Sequence, residues 1–207
     1  MAELTAPWTE FDYAVVDVEG NGQQPPDLVE ISIVAIENGT IGPPKTWLVR
    51  PPRQITAMAR RFHRITDDMV AAAPTIADLD GQLREALGRT VFVAHNVRVD
   101  LGVVSRELPG FQPAQVLDTL KLARRLHPGR GSYKLGALID AFGLADGLPS
   151  DLVPHRATYD AIVCARLLVH LASPPDRAPL TLTELLDTMG RKARTGTAAN
   201  EPAATLF

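Results

Sequence analysis

The chain has 207 residues, 45% of them hydrophobic and 22% charged, which is material for one globular core and excludes a disordered chain. Its formal net charge of −3 excludes a protein that holds duplex DNA mainly through a basic surface, although an acidic site filled with divalent cations still presents positive charge to phosphate. The single Cys164 rules out an intramolecular disulfide or a cysteine-held zinc, and with neither a leader-like opening nor a membrane-length apolar run, a soluble cytoplasmic protein without membrane contact is expected.

In chain order, residues 12–18 (DYAVVDV) are apolar and β-branched and predict a buried strand. Residues 28–36 (LVEISIVAI) predict a second, and 40–49 a third after Asn38-Gly39, the strongest short hairpin signal. The first three strands therefore read as an antiparallel meander. Ile76, Leu79, Leu83 and Leu87 then recur at helical spacing and Gly88 stops them. A short strand at 90–94 leads to a helix over about 97–108, ended by Pro109-Gly110. A brief strand at 115–117 runs into a helix ending near His127, and two further helices are expected over about 135–142 and 156–171. A meander followed by strand–helix alternation implies an α/β fold, a mixed sheet with helices on its faces.

After Ser173-Pro174-Pro175 a linker begins, and Thr181 with Glu184 has capping-box spacing. Leu182, Leu185, Leu186 and Met189 form one stripe of a short docking helix. The expected organisation is a domain over 1–172, a linker and docking helix over 173–190, and a mobile polar tail over 191–207.

Three places carry acids where apolar residues are the rule. Asp17 and Glu19 end the first strand, and a spacing of two places both carboxylates on one side of a sheet. Such a pair repels unless a cation compensates, and hard oxygen donors suit Mg²⁺ or Mn²⁺. An exposed strand end is the alternative. Asn96 can cap the helix after the fourth strand, and Asp100 lies one turn inside it among Val97, Val99, Leu101, Val103 and Val104; it either points inward or lies on the polar face. In the third place, Pro154 precedes His155 at a helix entry and Asp160 lies inside that helix, where Ala157, Ala161 and Ala165 allow close approach to the sheet.

In order and rough spacing, Asp17-x-Glu19, His95-Asn96 with Asp100, and His155 with Asp160 resemble the motifs of the DEDDh 3′→5′ exonuclease superfamily, to which the proofreading epsilon subunit of bacterial DNA polymerase III belongs. FHRIT at 62–66, LDTLKLARRL at 117–126 and SYKLGALIDAFGL at 132–144 extend the similarity over roughly 12–171. Gly20-Asn21-Gly22 replaces the family's Thr-Thr-Gly, and Val99 stands where Phe is usual. The resemblance implies a ribonuclease-H-like, mixed five-stranded sheet on which Asp17, Glu19, Asp100 and Asp160 hold two Mg²⁺ or Mn²⁺ ions. It implies that His155 is the general base, and that nucleoside 5′-monophosphates leave single-stranded 3′ ends in DNA replication or repair. Gly20, Asn21, Gly22, His63, Asn96 and Tyr133 are the expected substrate contacts.

Two basic stretches are candidates to guide a strand, or else solvated faces. One is Arg50, Arg53, Arg60, Arg61, His63 and Arg64; the other is Lys121, Arg124, Arg125, His127, Arg130 and Lys134. Phe62 and Tyr133 are candidate stacking platforms, with core packing the alternative. The terminal Leu206-Phe207 resembles peptides that grip a sliding clamp but lacks their leading Gln, so a DNA polymerase III or clamp partner stands against a tail end without function. An RNA exonuclease is the rival enzyme reading, and a silent nucleic-acid-binding module the non-enzymatic one.

Overall fold

The structure, a computed structural model, describes residues 4–187. After a 3-10 turn at Trp8–Glu10 comes β1 (Tyr13–Gly20). Tyr13, Ala14, Val15 and Val16 are all buried, since both faces of this strand are covered. A strand covered on both sides reads as a continuous apolar run rather than an alternating one. β2 (Leu28–Glu37) pairs antiparallel with β1, and β3 (Thr40–Leu48) antiparallel with β2. Glu37 faces Thr40 across Asn38 and Gly39, whose φ angles of +50° and +74° form the primed turn predicted by Asn-Gly.

Helices then interleave with two short strands. In order they are α1 (Ala57–His63), α2 (Asp67–Val70), α3 (Ile76–Leu87), β4 (Val91–Ala94), α4 (Arg98–Glu107), β5 (Gln115–Asp118), α5 (Thr119–Leu126), α6 (Leu135–Phe142), α7 (Ala157–Ala172) and α8 (Leu182–Leu186). The sheet order is β3-β2-β1-β4-β5, with β4 parallel to both β1 and β5. The expected mixed five-stranded sheet with an antiparallel first half is present.

Side-chain parity on β1 divides the core. Tyr13 and Val15 face a layer that includes α5, α6, α7 and α8, while Ala14 and Val16 face α3 and α4. Ala157, Ala161 and Ala165 of α7 are fully buried, and Val163, Leu167 and Leu168 join them. Each large aliphatic side chain so buried contributes about 1.5–3 kcal/mol. α8 closes one end: Thr181 and Glu184 form the predicted capping box, Leu182 and Leu185 enter the larger core, and Arg125 donates to the carbonyls of Glu184 and Asp187. Carbonyls at the C-terminal end of a helix are the ones its own ladder leaves over, and a guanidinium is a suitable donor for them. Met189 and the tail with Leu206-Phe207 lie outside the described residues. No helix among the described residues is long and apolar enough to cross a membrane.

Two sequence expectations need correction. Asn96 does not cap α4: the cap position is Val97, and no side chain caps there. Asn96 instead adopts φ +69°, and its N–H donates to Asp118 Oδ1 at 3.1 Å. The sequence predicts no helix at the first basic stretch, yet α1 lies within it and α2 follows it, capped by Thr56 and Thr66. Ile55, Ala59, Ile65 and Val70 pack with Val29 in a small cluster of their own, and helices this short show too few periods to be read from a pattern.

Candidate active site

Asp17 and Glu19 share the parity of Tyr13 and Val15, so both carboxylates project toward α7. α7 supplies Asp160 in its first turn. Carboxylate oxygens of Asp17, Glu19 and Asp160 all lie within 4.8 Å of one another. Asp100 arrives by another route. β4 pairs with β1 only over Tyr13–Val15, leaving the strand edge open beyond it, and there the Val18 N–H donates to Asp100 Oδ1 at 3.2 Å. Of the two placements open to Asp100, the inward one is found: it is 5% exposed, whereas its neighbour Val99 is 55% exposed.

The proton affinities of these four groups are displaced in one direction. Burial raises Asp17 well above the usual carboxylate range, and the charges of Asp100, Asp160 and Glu19 raise it further. Glu19 is pushed up to about 8 by burial and by Asp160, Glu30 and Asp100, with Arg156 opposing. Asp100 rises to about 7, mainly through burial, against the backbone N–H groups it accepts. Asp160 rises to about 6 for the same first reason, with His155 opposing. Hard oxygen donors gathered in this way and short of positive charge fit a divalent cation.

His155 is exposed and adopts φ +62°, a left-handed conformation uncommon for a non-glycine residue. Its own N–H donates to Asp160 Oδ2 at 3.1 Å. The next residue, Arg156, forks onto the buried Glu30 at 2.5–3.2 Å, and Ala157 N–H donates to Glu30 Oε2 at 2.8 Å. Glu30 thus caps the start of α7 from β2 and pins His155 from behind. Sequence reasoning missed this pair. Its signal was an acid amid LVEISIVAI, which pairs directly across from Glu19.

The replaced Gly20-Asn21-Gly22 segment is a tight structural corner. Asn21 is fully buried: its Nδ2 donates to Asp27 Oδ2 (2.6 Å) and Arg53 O, and its Oδ1 accepts from the N–H groups of Gln23 and Asp27. Its side chain is therefore turned away from solvent, and its backbone is engaged as well, the N–H donating to Asp27 O and the carbonyl accepting from Thr56 N–H, each at 2.9 Å. Gly22 has φ +78°, and a Cβ there would run into Thr56 Oγ1. His63 is buried rather than part of a basic face. Its Nδ1 accepts from Ile65 N–H at 3.0 Å, which leaves Nε2 to donate to Gly20 O at 3.2 Å. Burial lowers its pKa.

Beyond β4, His95 and Asn96 border a cleft of about 540 Å³ lined also by Arg124, Ser132, Tyr133 and Lys134. Asp118 is the missed organiser here, accepting from the N–H groups of Asn96, Leu120 and Lys121. The Tyr133 hydroxyl is tied to His127 O at 2.7 Å, whereas Phe62 is exposed with its ring 6.0 Å from that of His155. The second basic stretch divides. Arg125 holds α8, while His127 and Arg130 pack against Phe142; Lys121, Arg124 and Lys134 stay exposed.

A family of exonucleases (RNase_T) matches residues 14–168. Exodeoxyribonuclease 10 of Escherichia coli (strain K12) is 37% identical over 177 residues, 86% of this chain and 74% of that protein. The 3′-5′ exonuclease DinG of Bacillus subtilis (strain 168) is 32% identical over 84% of this chain, which spans 19% of that longer protein. The solved structure of Exonuclease X in complex with 5′ overhanging duplex DNA superposes with a TM-score of 0.68 at 34% identity, over 86% of this chain and 99% of that one. E. coli Exonuclease I in complex with a dT13 oligonucleotide shares the fold, at TM-score 0.63 and 14% identity over 79% of this chain and 41% of that one. With a family model matched over residues 14–168, relatives above 30% identity and the mixed sheet of a ribonuclease-H-like fold, the chain belongs to the DEDD-type exonuclease family, a family of divalent-metal-dependent nuclease hydrolases.

Proposed function

We propose that this protein is a 3′→5′ exodeoxyribonuclease that trims single-stranded ends to nucleoside 5′-monophosphates. The convergence of Asp17, Glu19 and Asp160 from distant parts of the chain carries the reading. Its similarity to an exodeoxyribonuclease favours DNA. Asp17, Glu19 and Asp160 would hold divalent metal, with Asp100 completing the set directly or through water; four carboxylates suit two Mg²⁺ or Mn²⁺ ions. When bound, such ions acidify the attacking water and offset the charge developing on the phosphate.

The chain's own groups do the rest. His155 accepts the proton of the attacking water on its ring, a task suited to imidazole near neutral pH. Glu30, through Arg156 and Ala157, fixes where that ring stands. Phe62, exposed beside His155, offers a face on which any base can stack, which gives affinity without sequence choice. The backbone of Gly20, Asn21 and Gly22, held by His63, walls the other side, and Asn96 and Tyr133 border the adjoining cleft.

The deciding experiment incubates purified protein with a 3′-labelled single-stranded DNA and an RNA of the same sequence, each with EDTA, Mg²⁺ or Mn²⁺. Metal-dependent release of 5′-mononucleotides from DNA is expected. Release from RNA alone would move the reading to an RNA exonuclease, and two intact substrates would refute it. A clamp or polymerase contact through Leu206-Phe207 rests on the tail resemblance, and binding of a sliding clamp that survives removal of both residues refutes it.

A further inference from the structure

The surface differs on the two sides of the carboxylates. On the β2 side, α1 presents Met58 (71% exposed) and Phe62 (59%) one turn apart, beside His155. On the β5 side lies the cleft, where Arg124 and Lys134 form no ion pair among the described residues, and neither does Lys121 on the same helix as Arg124. The cleft wall is fixed. His95 Nε2 donates to Tyr133 O at 2.9 Å while Nδ1 meets Thr119 Oγ1 at 3.0 Å, so the end of β4 anchors the segment before α6. The Tyr133 hydroxyl accepts from Arg130 N–H at 3.1 Å, and the Arg124 guanidinium lies over the Tyr133 ring at 5.8 Å. Both sides open at the carboxyl ends of β1, β4 and β5, where ligands of parallel sheets bind.

Removal of a 3′-terminal nucleotide divides the substrate unequally. On one side of the scissile phosphodiester stands a single nucleoside with no further phosphate. On the other the strand continues as a polyanion. An apolar flank suits the first and a flank of unpaired cations suits the second. We propose that the cleft between His95 and Lys134 is the track for the phosphodiesters upstream of the scissile bond, held by Arg124 and Lys134 and continued by Lys121. This rests on the exonuclease reading above.

The test compares wild type with the Arg124→Ala/Lys134→Ala double variant on two substrates. One is a 20-nucleotide single-stranded DNA; the other is the p-nitrophenyl ester of thymidine 5′-monophosphate, which has a scissile phosphate and no upstream strand. On the oligonucleotide KM rises about tenfold with kcat held, and the salt slope of binding falls by about 0.7 per lost contact. On the ester kcat/KM stays unchanged. Arg124→Lys/Lys134→Arg, which keeps both charges, retains the wild-type salt slope. Fluorescence anisotropy of the labelled oligonucleotide in EDTA reads binding without chemistry, and an unchanged Kd in the alanine double variant overturns the track. Equal losses on both substrates also overturn it, because the cleft would then serve the reacting centre itself. A wild type that leaves both the oligonucleotide and the ester intact counts against the exonuclease reading instead, and the anisotropy comparison still decides the track.

Discussion

Two groups of acids lie close together near the end of β1, and the chain treats them differently. Asp27 receives Arg53 at 2.7 and 2.8 Å and Asn21 at 2.6 Å, and these bonds hold its carboxyl below the usual range. Glu30, buried on β2, receives Arg156 and the first N–H of α7. Asp17, Glu19, Asp100 and Asp160 have each other for company, and all four hold protons above the usual range. Where an acid organises the fold, a cation or a helix start meets it. Where acids gather without one, the positive charge has to come from outside, and this separates a metal site from a structural ion pair more sharply than the number of acids does.

The comparison is most exposed to substitutions that remove charge. Asp17→Asn should lower activity on single-stranded DNA on the order of 10³-fold while raising the Tm of EDTA-treated protein, since one member of a repelling set is gone; a lower metal-free Tm would break the comparison. His155→Ala should cost about 10²–10⁴-fold in activity yet leave the metal-induced Tm shift intact, and thermal scans with and without Mn²⁺ check both halves.

The pH dependence comes next in size. Carboxyls raised in the folded state bind protons that the unfolded chain has released by about pH 4. Their contribution to stability is therefore complete below that point and is lost as pH climbs through about 6 for Asp160, 7 for Asp100 and 8 for Glu19. Metal-free protein should lose Tm over this window, and Mn²⁺ at a hundred times its Kd should restore about 2.7 kcal/mol, or roughly 5–10 °C. A flat metal-free profile would show that the four acids are already compensated. On the other side of the comparison, Glu30→Ala should destabilise by roughly 3 kcal/mol, the low end for a broken buried pair because Arg156 keeps some hydration. Its activity should fall too, as His155 loses its anchor. Arg53→Ala, at an exposed cation, should lower Tm by less than Glu30→Ala, and urea melts rank the two.

How much of this was written in the sequence depends on the range of the interaction. The hairpin at Asn38-Gly39, the capping box of α8 and the alanine face of α7 are local, and they appear in the structure as read. The three acidic places were legible as acids amid apolar residues, but their meeting was implied only by the family resemblance and not by the residues themselves, because it is fixed by β1 lying between β2 and β4. Asn96 misled: a residue that commonly caps helices here takes a left-handed turn, and its N–H is held by Asp118, 22 residues along the chain. Asn21 and His63 were read as substrate contacts; tertiary closure of α1 on the corner after β1 buries both side chains. Glu30 could have been suspected as an acid inside an apolar strand, but its partner Arg156 stood among ordinary charged residues.

The Glu30 anchor also separates two kinds of freedom. His155 takes its place from β2 behind it and α7 ahead of it, so the preceding segment from Pro149 to Pro154 does not set its position. Short insertions between Ser150 and Leu152 should therefore change a surface loop and leave turnover of single-stranded DNA intact, which makes that stretch a place to carry a foreign peptide.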